Sequence, residues 1–237
     1  MPMLNAFKPT TIISDFRSMT IFQSLFLVSM IVVMLGLSYY WQDSAVSVVS
    51  GVTGVICVFM VNMRKLSNFA WGAINCTLYG YVAYTASYFG DTMLNWIFYL
   101  PIQFIGAYMW SKQMEDDTVV SRKVESKQTL LAIVAFTIAT VLIYSQALSY
   151  IGGKLSIIDA TTTTLSILAT YFMVKGYREQ WVCWVIVNVL SIYMWTVNFL
   201  ANGDGYGVLI MWIMFLTNSL YGYYTWFKAS KNEQTTI

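Results

Sequence analysis

Residues 180–195 read QWVCWVIVNVLSIYMW, and the apolar character continues to about residue 200. A run of roughly 20 predominantly apolar residues is the length a helix needs to cross the hydrocarbon core of a bilayer. Trp181, Trp184 and Asn188 stand at i, i+3 and i+7 and therefore share one helix face, which Ser191 and Trp195 extend. An asparagine this deep in an apolar run is costly unless it finds partners. The stretch thus announces both its solvent and its most informative residue.

The rest of the chain agrees. Of its 237 residues 58% are hydrophobic and only 10% charged, whereas a soluble domain carries about 25% charged residues. Too few charges are available to cover a surface facing water, so lipid is the expected solvent. The net charge of +2 gives no reason to expect nucleic acid as a partner. Histidine is absent, which removes the commonest metal ligand and proton relay. Cys57, Cys76 and Cys183 all fall inside predicted spans, form no CxxC pair and read as packing residues. No paired buried carboxylates, phosphate loop or dinucleotide turn occur, so neither an enzyme nor a cofactor is expected. Lys8 and Arg17 precede an apolar run, but 20–40 is longer than a signal-peptide core and reads as a retained helix.

Eight spans follow, at about 20–40, 44–63, 68–89, 92–111, 129–148, 156–174, 180–200 and 206–227. The longest connection, about 111–128, contains EDDTVVSRKVESK and reads as a linker between halves. Basic residues test the count. With the N-terminus inside, Lys154 is the one member of the thirteen Lys and Arg to fall outside, together with Asp43, Asp91 and Asp204. Removing or adding a span would move every later loop to the other side and destroy that bias.

The halves also repeat. A shift of 113 places Lys65 on Arg178, Trp71 on Trp184, Asn75 on Asn188, and Gly90 and Asp91 on Gly203 and Asp204. With three residues inserted, a shift of 116 places Trp96 on Trp212, Gly106 on Gly222, Trp110 on Trp226 and Lys112 on Lys228. Spans 2 to 4 thereby match spans 6 to 8, with span 5 as connector and span 1 extra. The expected fold class is an all-α integral membrane protein of eight transmembrane helices, with a parallel 3+1+3 repeat and an additional N-terminal helix. Its expected divisions are 1–43 (N-terminal segment and extra helix), 44–111 (first repeat), 112–155 (linker and connecting span), 156–228 (second repeat) and 229–237 (tail). Parallel repeats occur in transporters that hold substrate between them near the membrane midplane.

Several faces can hold such a substrate, and each has a plainer reading beside the functional one. Trp181, Trp184 and Asn188 suit a ligand with an aromatic ring and polar groups; they also fit an interfacial Trp belt plus an Asn that ties two helices. Their repeat partners are Trp71 and Asn75, with Tyr79 a further turn on. Gln103 lies beside Pro101, the one proline inside an apolar run, where a kink serves as hinge or merely as shape. Asn218 shares a face with Tyr221, near Thr217 and Trp212. Asp159 is the one acid placed within a span; it touches substrate at the outer mouth or complements a helix N-terminus. The Thr161–Thr164 run reads mostly as hydroxyls bonded to their own backbone, and Ser47, Ser50, Gly54 and Cys57 as a small-residue packing face. Ion-coupled carriers need buried carboxylates or dense oxygen cages, so the near-absence of acids points to uncoupled movement.

The segment EQWVCWVIVNVLS, with its WxxWxxxN pattern, resembles the PnuC family of bacterial nicotinamide riboside transporters, and NFAWGAINCTLYG resembles the matching motif of the first half. The resemblance covers about residues 44–230, and the 3+1+3 repeat is shared more distantly with SWEET sugar transporters. It implies uptake of nicotinamide riboside, a vitamin B3 form and NAD precursor, by facilitated diffusion across the bacterial inner membrane, with trapping by a cytoplasmic riboside kinase. It implies substrate contacts at Trp181, Trp184, Asn188, Trp71 and Asn75. The extra first helix departs from the seven-helix family core. The ligand's flat cationic ring suits indole faces, for about 0.5–2 kcal/mol, and its amide and hydroxyls suit Asn and Gln. With no basic residue in mid-span, the phosphorylated form is expected to be excluded. Both termini are expected in the cytoplasm, and self-association, a trimer included, is compatible with the small-residue faces. The competing expectations are a SWEET-like facilitator of a sugar or another neutral solute, and a membrane scaffold or sensor, which the lack of a terminal soluble domain disfavours.

Overall fold

The computed structural model describes residues 2–40, 44–85, 92, 94–115, 117–150, 152, 155–202 and 206–235. Gly90, Asp91, Gly203 and Asp204 of the repeat, and the outer-loop Asp43 and Lys154, lie outside the described residues. The chain divides into two compact units, Met1–Val120 and Ser121–Ile237.

The first unit opens with a 3-10 turn, Pro2–Phe7, and a short helix α1, Pro9–Arg17, started by a proline whose missing N–H costs nothing at that position. Neither was expected from the apolar pattern. Then come α2 (Ile21–Tyr40), α3 (Ala45–Asn62) and α4 (Asn68–Thr85). Ser44 caps α3 by accepting the Ser47 N–H at 3.2 Å. The expected fourth span is composite: a π-helical stretch, Leu94–Tyr99, runs into α5, Leu100–Ser111, with Pro101 in the first turn of the latter. Proline removes an intrahelical donor, and wider π turns accommodate such a loss. A small antiparallel pair, β1 (Met114–Glu115) and β2 (Thr118–Val119), closes the unit.

The second unit contains α6 (Lys127–Tyr150), α7 (Ser156–Lys175), α8 (Gln180–Asn202) and α9 (Tyr206–Thr235). The last helix continues beyond residue 228, through most of the segment expected as a tail. Within the most apolar window of α6 only 6% of residues are buried, against 44% in α3, so α6 packs along one narrow line. Its neighbour α7 is better covered: Ala169 and Phe172 meet Cys183 of α8 in a core that Leu165 and Trp184 also join.

Both units use the same two devices at the end where their middle helix begins. The first is the turn into that helix. Arg64 (φ 59°) and Gly176 (φ 73°) are left-handed, and the next N–H reaches back five residues, Lys65 to Met60 at 2.9 Å and Tyr177 to Phe172 at 2.8 Å. These are Schellman closures that satisfy helix-terminal carbonyls. The second is an aromatic lock. Phe69 meets Trp110 edge to face at 5.0 Å, and Trp181 meets Trp226 at 6.2 Å, with both Trp110 and Trp226 at 0% exposure. Each lock closes over a glycine, Gly106 or Gly222, where a Cβ would strike the aromatic ring.

The linker is stitched down rather than loose. In the first unit Val119 N–H donates to Arg64 O at 3.0 Å and the Arg64 guanidinium donates back to Val119 O at 3.1 Å. In the second, Arg122 exchanges backbone bonds with Gly176 (2.8 Å) and Arg178 (2.9 Å), Ser121 Oγ donates to Trp226 O at 3.0 Å, and Val124 N–H donates to Glu179 at 3.3 Å.

Candidate substrate-contact residues

In the first unit α4 sets Trp71, Asn75 and Tyr79 one helical turn apart, about 6 Å in height per step. Trp71, one turn from the start of α4, takes the edge of Phe16 at 6.1 Å and 87°. Its indole Nε1 is buried and finds no protein acceptor. Asn75 donates from Nδ2 to Ser50 O at 2.8 Å, tying α4 to α3. Tyr79 is 40% exposed. Gln103 of α5 is buried, donates to Tyr99 O at 3.2 Å, and approaches Cys76 Sγ at 3.9 Å. It lies so close to Gly72 that any side chain there would collide with its carbonyl oxygen, an oxygen that itself accepts no hydrogen bond.

In the second unit Asn188 is 2% exposed and donates from Nδ2 to Ser219 Oγ at 2.8 Å, joining α8 to α9. Trp184 is half-buried and part of its ring packs on the α7–α8 core. Trp181 occupies the aromatic lock, the place Phe69 takes in the first unit, although its Nε1 is without an acceptor. Trp212 is half-buried, meets Phe215 edge to face at 5.8 Å, and has a buried Nε1 with no acceptor. Asn218 is 2% exposed and Tyr221 half-buried, whereas Thr217 is exposed and returns its hydroxyl to Ile213 O at 3.0 Å. Asp159 sits half-buried in the first turn of α7. The hydroxyls of Thr161, Thr162 and Thr170 bond backbone carbonyls three or four residues back, as the threonine run suggested.

The candidates divide between the units: Trp71, Asn75, Tyr79 and Gln103 lie on α4 and α5, Asp159 on α7, and Trp181, Trp184, Asn188, Trp212, Thr217, Asn218 and Tyr221 on α8 and α9. Both asparagines use their amide protons to join helices, which is the structural half of the two readings given for them. Ser219 was not singled out as a partner, and Ser50 read only as packing. The short range of a serine hydroxyl leaves no periodic signal by which sequence identifies its partner.

Among the described residues α2, α3, α6 and α7 are long and apolar enough to cross a membrane by length and composition. The helices that carry nearly all the candidate residues, α4, α5, α8 and α9, are diluted by Trp, Tyr and Asn. Backbone satisfied within helices and apolar surface turned outward define an all-α protein that crosses the bilayer several times. A family model described as "Nicotinamide mononucleotide transporter" matches residues 44–228. The nicotinamide riboside transporter PnuC of Neisseria mucosa is 36% identical over 223 residues, covering 91% of this chain and 84% of its own length. The protein of the same name from Haemophilus influenzae is 35% identical over 193 residues, covering 80% of this chain and 82% of its own. A crystal structure of the vitamin B3 transporter PnuC superposes with a TM-score of 0.77 at 34% identity, covering 91% of this chain and 94% of that one. The chain belongs to the PnuC family of membrane transporters.

Proposed function

We propose that this chain moves nicotinamide riboside across the bacterial inner membrane by facilitated diffusion. The observation that carries the reading is the set of buried polar atoms without protein partners on the candidate faces: the indole N–H groups of Trp71 and Trp212 and the carbonyl of Gln103. An unpaired buried polar atom costs about 1–3 kcal/mol, and a ligand rich in amide and hydroxyl groups recovers that cost. The indole faces favour the cationic ring. Trp181, Trp184, Asn188, Trp71, Asn75, Tyr79, Gln103, Asn218, Thr217, Tyr221, Trp212 and Asp159 are the proposed contacts, with Trp181 and Thr217 the weakest members given their packing and self-bonded hydroxyl.

The expected spans hold no Lys or Arg in their interiors: Lys127 and Lys175 stand at helix ends, and Lys228 and Lys231 lie in the part of α9 beyond residue 227. A phosphate has no cation to meet there, which favours the riboside over the mononucleotide of the family description. One carboxylate, Asp159, near a helix start gives no basis for ion coupling. The proposal includes the eight-span 3+1+3 arrangement with the divisions given above, both termini in the cytoplasm, self-association up to a trimer, and a cytoplasmic riboside kinase that traps the product.

Proteoliposomes loaded with buffer test it. Labelled nicotinamide riboside should enter until inside and outside concentrations match, at a rate indifferent to proton or sodium gradients. Excess mononucleotide or hexose should not compete. Accumulation above the external concentration would overturn the uncoupled mechanism, and competition by a hexose would favour the sugar facilitator.

A further inference from the structure

The N-terminal 3-10 turn and α1 precede the first expected span, yet they are bound into the first unit at two candidate-bearing helices, α5 and α4 respectively. Asp15 is 4% exposed, and its Oδ2 accepts the Ser67 N–H at 3.1 Å, immediately before α4 begins. A carboxylate at that point satisfies an orphan helix donor and complements the positive end of the helix dipole. The next residue, Phe16, sets its ring edge-on to Trp71. Upstream, Phe7 stacks on Phe104 of α5 at 5.4 Å, next to Gln103. Ser18 Oγ returns to Asp15 O at 2.8 Å and closes α1 behind these contacts. The chain bridges 52 residues in sequence to place Asp15 on Ser67. The second unit, by contrast, uses its own Glu179 and linker at the matching turn.

We infer that α1 is a positioning element, in which Asp15 fixes the first turn of α4 and Phe16 fixes the ring of Trp71, leaving the Trp71 indole N–H available to substrate. Neither residue touches substrate; both act through Trp71. The consequence for affinity rests on the proposed riboside site, whereas the orientation of Trp71 does not.

The full chain, grown with 5-fluorotryptophan and placed in nanodiscs, separates the two. Loss of one 19F resonance in Trp71→Phe assigns that ring. Asp15→Ala and Phe16→Leu should each displace the Trp71 resonance and weaken calorimetric riboside affinity by about three- to tenfold. Asp15→Asn, which keeps a carbonyl to accept the Ser67 N–H, should leave both near the parent. Phe16→Leu keeps an apolar side chain, so it remains informative if Asp15→Ala fails to fold. An unmoved Trp71 resonance in the folded variants overturns the inference. So does a moved resonance with affinity within twofold of a binding parent. If the resonance moves but the parent binds no riboside, the positioning of Trp71 stands and the proposed substrate fails.

Discussion

The two units close the ends where their middle helices begin alike and treat their polar residues differently. Trp110 and Trp226 sit at matching repeat positions, equally buried, each against an aromatic partner, Phe69 or Trp181, that itself packs on a glycine. The polar positions diverge. In the second unit Asn188 and Ser219 bond each other across α8 and α9. At the matching repeat positions of the first, Asn75 turns to Ser50 on α3, and Gln103 keeps an unpaired carbonyl. The π stretch and Pro101 occur in the first unit alone among the described residues; the shift of 116 puts Thr217 at the matching place, in an unbroken α9. Packing holds both units to one plan, while the matching polar pair is bonded together in the second unit and parted in the first.

The strongest test of the shared plan is to remove each lock. Trp110→Ala and Trp226→Ala should each cost about 3–5 kcal/mol, the range for deleting a large buried aromatic side chain. Thermal unfolding in detergent should show comparable losses. A large loss in one unit and almost none in the other would mean the locks match in geometry but not in energetic role.

The divergent polar positions come next. Gln103→Leu deletes the open carbonyl, and riboside affinity should fall by about ten- to a hundredfold, corresponding to roughly 1.5–3 kcal/mol. Ser219→Ala removes a hydroxyl already engaged by Asn188 and should cost less than Gln103→Leu in the same titration. The reverse order would assign the ligand's polar contacts chiefly to the second unit.

The left-handed turns give a smaller, purely conformational contrast. Gly176→Arg forces a side chain into a region disfavoured by about 1–2 kcal/mol, so the second unit should lose that much. Arg64→Gly relieves the same strain but deletes the guanidinium bond to Val119 O, so its net effect should stay within about 1 kcal/mol. Unfolding midpoints of the two variants measure the difference, and equal losses would refute the strain argument.

Much of this was legible from the sequence because bilayer thickness sets a length and recurring Trp, Gly and Asn residues align the two halves. The apolar runs placed α2, α3, α6 and α7 to within a few residues. They could not reveal that α9 continues to Thr235, because a helix leaving lipid no longer needs an apolar side chain at each position. They also passed over α1, a short helix before the first span whose key contact is made 52 residues away. Pro101 did signal an irregular helix, though not that the irregularity would be a π stretch before it. The candidate residues were found by residue type and spacing; their partners Ser50 and Ser219 were not, since small hydroxyl residues serve equally as packing.

The finest test asks whether the Asn188–Ser219 bond holds energy that its counterparts in the first unit lack. Hydrogen bonds between helices in a membrane are worth about 0.6 kcal/mol on average, because the separated helices find other partners. A double-mutant cycle of Asn188→Ala and Ser219→Ala should therefore give a coupling of about 0.5–1 kcal/mol in thermal stability. The cycle of Asn75→Ala and Gln103→Ala should give a smaller coupling, since Asn75 spends its amide on Ser50 and Gln103 on Tyr99. Repeating both cycles with saturating riboside sharpens the contrast. If one ligand engages Asn75 and Gln103 together, their coupling must rise on binding, because each contact then helps hold the group that makes the other. If the Asn188–Ser219 coupling is the one that rises, that bond is the element the ligand tightens, and the open carbonyl of Gln103 serves something other than substrate.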